Sequence, residues 1–317
     1  MHIRMGLVVP SIIGNCLALA VMTMKKNRAS SICFLMANLA FVDNIPLLSY
    51  LHNYLWAARI HDTNTHPFYC QLGVFLGSFG VTTAAWLVAF MTIERSIATL
   101  FPLKAMRICR MRNVKISVVV LYGVMVARFF HYFFVFTTGI DVLSGWNTCI
   151  GSELFTATVR FVDTVVKLAF DTVGPCAIVF MCNVLIIASI RKRRTSDGHL
   201  GAKGKDSFSE TQITRTLLLV SITFTILVSP FTIKLVYNSI YPKLKRTNCA
   251  TFTFHGTIEK ILHDMLYVNH GINFLLYCVG GGKRFRNDLS MYVKPVKQNT
   301  IVVIRDGKYT LALEMLL

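Results

Sequence analysis

At 317 residues, 54% hydrophobic and only 15% charged, with a mean hydropathy of +0.55, the chain lies outside the composition of soluble domains and reads as a polytopic membrane protein. The formal charge of +18 invites nucleic acid as a partner, but lysine and arginine stand in short runs between apolar blocks, where they act as topology signals. Nine scattered cysteines with no CxxC or Cys/His ligand spacing argue against a zinc site and against a disulfide-dense scaffold. No His-Glu-x-x-His, no Gly-x-Ser-x-Gly and no carboxylates at catalytic spacing occur, so the chain is not read as an enzyme.

The first apolar run, residues 6–24, makes roughly 28 Å of helix and is closed by Lys25, Lys26 and Arg28. A cleaved signal peptide is its rival, since Arg4 precedes it and Ala18-Leu19-Ala20 resembles a cleavage site; the Gly14-Asn15 interruption and the basic flank favour a true span. Almost no chain precedes it, and an outer tail is expected to be missing here. Six further spans are expected at 31–56, 67–99, 114–136, 161–190, 210–240 and 257–279, giving an all-α bundle of seven transmembrane helices. Cys16, Cys33, Cys176, Cys182 and Cys278 fall inside these runs and are expected to be small buried hydrophobes.

The third span is the centre of the arrangement. From Cys70 to Arg95 a helix covers roughly 37 Å, enough to hold its two ends on opposite sides of a bilayer. Gly73, Gly77 and Gly80 stand at small-residue spacing, which predicts close approach of neighbouring backbones. After the seventh span Gly280-Gly281-Gly282 breaks the helix, and Lys283-Arg284-Phe285-Arg286 opens an amphipathic segment, 282–293, expected along the inner membrane surface. Residues 294–317 form a cytoplasmic tail in this reading. Within it, apolar and β-branched residues flank Asp306-Gly307, a signal for a hairpin, with a disordered tail as the alternative.

Basic residues fix the orientation. Lys25, Lys26 and Arg28 follow the first span, Lys104, Arg107, Arg110, Arg112 and Lys115 the third, and Arg191 to Arg194 with Lys203 and Lys205 the fifth. The alternate loops carry only Arg59, Arg160, Lys243, Lys245 and Arg246, so the amino terminus lies outside. Cys70 and Cys149 then share the oxidising side and can join, whereas Cys249 has no evident partner. The third inner loop, with Gly198, Gly201 and Gly204, reads as flexible.

Several short motifs in order resemble the rhodopsin-like family of G-protein-coupled receptors, from Gly14 to about Leu289. They are Gly14-Asn15, Asn38-Leu39-Ala40-Phe41-Val42-Asp43, Glu94-Arg95-Ser96, Pro102-Leu103, Pro175, Phe224 with Pro230, and Asn273-Phe274-Leu275-Leu276-Tyr277. The chain departs from the pattern at Val228 (a switch tryptophan in the family), Phe274 (a proline), Asn183 (a tyrosine) and in a fourth span without its usual tryptophan.

The resemblance implies roles that also make physical sense. A carboxylate in mid-membrane must face the bundle interior, so Asp43, with Asn15, Asn269 and Asn273, is expected to form a polar core. In the family that core holds sodium, although Ala84 stands where the third helix usually supplies a hydroxyl. Arg95 has two acidic partners in prospect, Glu94 and Glu210, the second either closing a lock between helices three and six or merely capping its helix. Pro230 must kink the sixth helix and suits a lever.

The expected function is reception of an extracellular ligand and activation of a heterotrimeric G protein, with membrane lipids as further partners and no nucleic acid. Gly77 stands where amine receptors carry aspartate and Tyr267 where opsins carry lysine, which disfavours both ligand classes. Ligand contacts are expected from Gly77, Lys167, Asp171, Lys234, Lys260, His263 and Tyr267, with Asp264 nearby; Lys167 and Asp171, four apart, could simply pair. Charges of both signs suit a peptide or a zwitterionic small molecule, and a peptide is expected; a chemosensory receptor for small molecules and a transporter are the alternatives. No cofactor beyond sodium is implied.

Overall fold

A computed structural model describes residues 2–57, 66–140, 147–196, 205–240, 249–293, 302–305 and 308–311. Its helices are α1 (His2–Met22), α2 (Ser31–Ala57), α3 (Pro67–Leu100), the short α4 (Pro102–Ile108), α5 (Met111–Phe129), α6 (Tyr132–Val135), α7 (Ala157–Val166), α8 (Gly174–Ser196), α9 (Lys205–Ile240), α10 (Cys249–Gly280) and α11 (Gly282–Val293). A π-helical turn, Lys167–Val173, joins α7 to α8 into one rod. The protein is an all-α membrane bundle. Among the described residues five segments are long and apolar enough to cross a bilayer: Ser31–His52, Pro67–Leu100, Met111–Val135, Ala157–Lys192 and Thr214–Tyr237. Gly6–Met22 is apolar but shorter. Helix α10 has the length for a crossing but carries Lys260, His263, Asp264, Asn269, His270 and Asn273, so its composition marks a helix that faces other helices more than lipid.

Helix α3 packs against α2, α5, α8 and α9. Leu87, Ala89 and Met91 of α3 are buried in one cluster with Leu39 and Val42 of α2 and Met125 and Phe129 of α5. Since lipid tails are as apolar as these side chains, close packing holds the helices together more than burial from water does. Of the three glycines expected to allow close approach, only Gly80 does so: a Cβ there would lie 2.7 Å from Pro46 Cδ, whereas Gly73 and Gly77 would meet nothing within 4 Å. Gly77 thus faces open space, neither a helix contact nor a demonstrated ligand contact. Cys16 is exposed and Cys33, Cys176, Cys182 and Cys278 are half-buried, so the expectation of buried cysteines does not hold. The side chain of Cys249 lies outside the described residues.

Local chemistry sets the element ends. His66 caps α3, accepting the Phe68 N–H at 3.3 Å on Nδ1, with Pro67 at the first helical position where its missing N–H costs nothing. Pro175 cannot donate to the carbonyl one turn back and its ring crowds that turn, so the backbone ahead of it widens into the π segment, where Thr172 Oγ1 donates to the Lys167 carbonyl at 3.0 Å. The fourth span, expected at 114–136, runs Met111–Val135, with a break after Phe129 between α5 and α6. The β-branched stretch β1 (Phe136–Ile140) pairs antiparallel with β2 (Asn147–Gly151), with Thr138 opposite Cys149. This ribbon is fastened to the top of α3 by the Cys70–Cys149 disulfide (Cα–Cα 5.4 Å) and by Gln71 Nε2 donating to the Phe136 carbonyl at 3.0 Å. Near the end of the chain β3 (Val302–Arg305) and β4 (Lys308–Leu311) pair antiparallel, as the hairpin reading expected. Asp306 and Gly307 themselves lie outside the described residues.

A Cβ on Gly281 would lie 2.5 Å from the Tyr277 carbonyl oxygen, so the turn between α10 and α11 requires glycine. Asp288 on α11 is buried, takes the Lys26 ammonium, and accepts from Asn27 Nδ2 at 3.2 Å, while the same amide donates to the Val21 carbonyl at 2.9 Å. The amphipathic helix is therefore pinned to the first inner turn. Replacing Asp288 by alanine should cost about 1–3 kcal/mol, because it leaves one N–H of the buried Asn27 amide without an acceptor. Faster hydrogen exchange over 282–293 and a lower unfolding temperature would report it. Lys26→Ala should cost less, since that side chain is 43% exposed.

Candidate polar switch core and ligand cavity

Asp43 is fully buried on α2. Its Oδ1 lies 2.8 Å from His270 Nδ1, and its Oδ2 accepts from Asn273 Nδ2 at 2.7 Å; both partners stand on α10, three residues apart and so on one helix face. Asn15 on α1 donates to the His270 carbonyl at 3.0 Å, which ties a third helix into the group. The structure thus brings together Asn15, Asp43 and Asn273, with Asn269 buried beside them. The residue that sequence reading missed is His270, the closest partner of the carboxylate along with Asn273. Its signal was available: a histidine one helical turn from Asn273 in a span already rich in polar residues.

A sodium ion at Asp43 would compete with His270 and Asn273, which each already hold one of its oxygens, and the third helix has the methyl of Ala84 where the family pattern has a hydroxyl, with the buried, unpartnered hydroxyl of Thr83 one residue before it.

At the outer end of the bundle a second charged group was not anticipated. Arg128 on α5 donates to Asp163 of α7 at 2.9 Å and, through its other terminal nitrogen, to Asp171 of the π segment at 3.0 Å. Tyr132 donates to Asp163 at 3.3 Å and the guanidinium stacks 4.9 Å from the Phe129 ring centre. Lys167 is exposed, and Asp171 is buried with its ion pair made to Arg128 on another helix, where pairing with Lys167 is one of the two readings the sequence allows. An arginine inside the run 114–136 was the signal for this group.

The other expected ligand residues are spread out. Lys260 and His263 are exposed, His263 beside the Phe231 ring (5.4 Å), and Lys234 is half-buried on α9. Tyr267 packs on Tyr50 (4.5 Å) and lines, with Asp264, a crevice against Leu7 and Leu47. Asp171 alone among them lines the cavity between α3, the fifth rod, α9 and α10, together with Phe224, Val228, Phe231, Asn269 and His270.

At the inner end, Glu94 is buried and accepts the Ser31 hydroxyl, so this carboxylate is turned toward α2. Arg95 is half-buried at the same level. The side chain of Glu210 lies outside the described residues. Asn183 accepts from Ser221 Oγ at 2.8 Å, joining α8 to α9 at the position where the family pattern has tyrosine. On the other side, Tyr122 donates to Asn38 at 2.8 Å, the link from α5 to α2. Tyr277 is fully buried against Phe285 (6.1 Å), below Asn273 on the same helix.

The family model of the seven-transmembrane receptors of the rhodopsin family matches residues 14–277. The chain belongs to the rhodopsin family of seven-transmembrane receptors. No curated protein is significantly similar to it. Rhodopsin-family receptors are not enzymes, and they act through an extracellular ligand and an intracellular G protein; among the described residues no cluster of metal-ligating side chains occurs. Asp43, Arg95 and Tyr277 therefore belong to a receptor's interior, with Glu94 and the disulfide Cys70–Cys149 in the same frame.

Two outcomes follow. Exchanging sodium for choline at constant ionic strength should leave the unfolding temperature of the purified receptor unchanged. Arg128→Met should cost about 3–5 kcal/mol in unfolding free energy, because it strands two carboxylates that now share one cation, and Asp163→Asn should cost less.

Proposed function

We propose that this rhodopsin-family receptor sits in the plasma membrane with its amino terminus outside, binds a peptide, and couples through Arg95 to a heterotrimeric G protein. The observation that carries the reading is the polar column from the cavity floor at His270 through Asp43 and Asn273 to Tyr277. A buried carboxylate held only by two side chains of one helix is a natural two-state element, since any shift of α10 along α2 must exchange its partners.

Support for a peptide comes from the β1–β2 ribbon. The β1 side of the ribbon is engaged by α3, but among the described residues β2 pairs with no strand on its other side, and an extended peptide can add to such an edge as a further strand. Ligand binding would then shift an existing equilibrium, with α9 pivoting at Pro230 and its bond from Ser221 to Asn183 exchanged as the inner ends part. Moving the active fraction from one to ninety-nine per cent requires the ligand to prefer the open form by about 5.5 kcal/mol. A pair between Arg95 and Glu210 would hold the closed form, and Arg107, Arg110, Lys192 and Arg193 would meet anionic lipid and the partner.

In membranes carrying the receptor, Arg95→Ala should abolish basal nucleotide exchange on added G proteins, and Glu210→Ala should raise it. Screening a neuropeptide library on cells expressing the chain tests the ligand class; activation by no peptide would end that part of the reading. Orientation is checked at Cys109, beyond the inner end of α3. Burial, and next the Glu94 carboxylate, push its thiol above the usual range, so the reactive thiolate is scarce near neutrality. A membrane-impermeant maleimide should label Cys109 only from the cytosolic side, and the rate should climb about tenfold per pH unit until pH passes the raised pKa.

A further inference from the structure

Two glycines in succession stand at the end of α10, and they answer to different neighbours. A side chain on Gly281 would meet its own chain at the Tyr277 carbonyl, whereas a side chain on Gly280 would meet α9. Gly280 is buried, and a Cβ there would lie 2.9 Å from Thr216 Cα, 2.9 Å from Thr216 Oγ1 and 3.2 Å from Leu219 Cδ1. Carbon atoms in good contact keep about 3.5–4.0 Å. A Cα, unlike the tip of a side chain, cannot turn aside. The two helices therefore approach almost backbone to backbone, the kind of packing that holds helices together in a bilayer.

One added methyl would force these helices apart, and the surrounding structure decides which of them yields. Helix α10 is anchored at two levels. Asn273 holds Asp43 and Asn15 holds the His270 carbonyl, while α11, joined to α10 through Gly281, is pinned by Asp288 to Lys26 and Asn27. Helix α9 is the lever: Thr216 stands roughly 21 Å inward of Pro230 at 1.5 Å per residue. The bond from Ser221 to Asn183 lies between them and can be exchanged as α9 turns. Gln212 and Thr216 of α9 also wall a cavity shared with Met22 of α1 and Met36 of α2, so α9 moving off Gly280 opens the inner end of the bundle.

We propose that the seat of Thr216 and Leu219 on Gly280 is an autoinhibitory contact, which holds the inner end of α9 closed and lets the size of residue 280 set basal activity. The inference rests on the receptor reading above: it takes from that reading that opening is a movement of α9, and it names the contact that resists the movement. Glycine near the end of a helix does nothing for the helix itself, where alanine is the better residue. Its gain here is made on the neighbouring helix.

The test compares Gly280→Ala and Gly280→Val with Gly123→Ala, a glycine on the exposed side of α5 where a Cβ meets nothing within 4 Å. In membranes with added G proteins, Gly280→Ala should raise basal nucleotide exchange at least about fivefold, as overpacking by one methyl implies, and Gly280→Val should raise it further. Gly123→Ala should leave it unchanged. The second readout needs no G protein: the distance between spin labels installed by orthogonal chemistry at the exposed positions Arg28 and Arg215 should lengthen in Gly280→Ala and not in Gly123→Ala. An unchanged distance in Gly280→Ala, or an equal change in Gly123→Ala, would overturn the proposal whatever the exchange rate does. A longer distance without exchange on any G protein would uphold the contact and count against the coupling reading instead. Should the Gly280 variants not fold, Leu219→Ala decides, since it loosens the same contact without a clash: it should lengthen the distance, and no change would overturn the proposal.

Discussion

A single carboxylate in the middle of the bundle, Asp43, constrains most of what surrounds it. Leaving it ionised and alone in a low-dielectric interior would be prohibitive, so the helices must deliver polar partners to it. The protein meets the requirement almost entirely from α10, with His270 and Asn273 on one face, while Asn15 fixes α1 to the same helix through the His270 backbone. That accounts for the polar residues Asn269, His270 and Asn273 within α10. It also explains how α1, α2 and α10 are held in one register by side-chain hydrogen bonds, the Cys70–Cys149 disulfide lying elsewhere, between α3 and β2. Where the family's usual core leaves room for a cation beside the carboxylate, this chain substitutes a side chain that brings its own ring nitrogen.

The outer charged group obeys the same logic with different elements. Arg128 joins α5 to the fifth rod, and it can reach both Asp163 and Asp171 because the π segment holds the second acid on the bundle side while Lys167 stays exposed. Pro175 is the covalent cause of that segment, so a proline read from the sequence as a motif residue proves to set the geometry of a charge cluster a turn away. The ribbon fastened to α3 by Cys70 and Cys149 lies on the outer side with it, whereas Asp288 anchors α11 at the inner side.

Much of this was legible in the sequence, because hydropathy blocks, basic flanks and cysteine placement each follow from the bilayer as solvent. The spans, the disulfide and the amphipathic helix came from such rules, whereas the grouping of Asn15 and Asn273 with Asp43 came with the family motifs. What escaped were partners across helices. Arg128 with Asp163, Asp43 with His270, and Asp288 with Lys26 are each separated by dozens to hundreds of residues, and helical periodicity reports only which face a residue occupies, not which face of which neighbour meets it. The pair offered by periodicity alone, Lys167 with Asp171, was replaced for that reason. Small-residue spacing failed similarly at Gly73 and Gly77, since a glycine permits a close approach but cannot summon a neighbour.

The departures from the family pattern are not scattered losses. Val228 lines the cavity together with His270, at the position where the family pattern has its switch tryptophan. Asn183, in place of a tyrosine, takes a bond from Ser221 on α9, and Phe274, in place of a proline, stands beside Gly14, where a Cβ would lie 3.1 Å from its ring. An imidazole bonded through one nitrogen can exchange that hydrogen bond, and the energy available to such an exchange is the differential affinity of an occupant for the two arrangements and nothing more. Valine at 228 and the histidine bonded to Asp43 thus meet at one cavity, where a contact to the imidazole is one hydrogen bond away from the buried carboxylate.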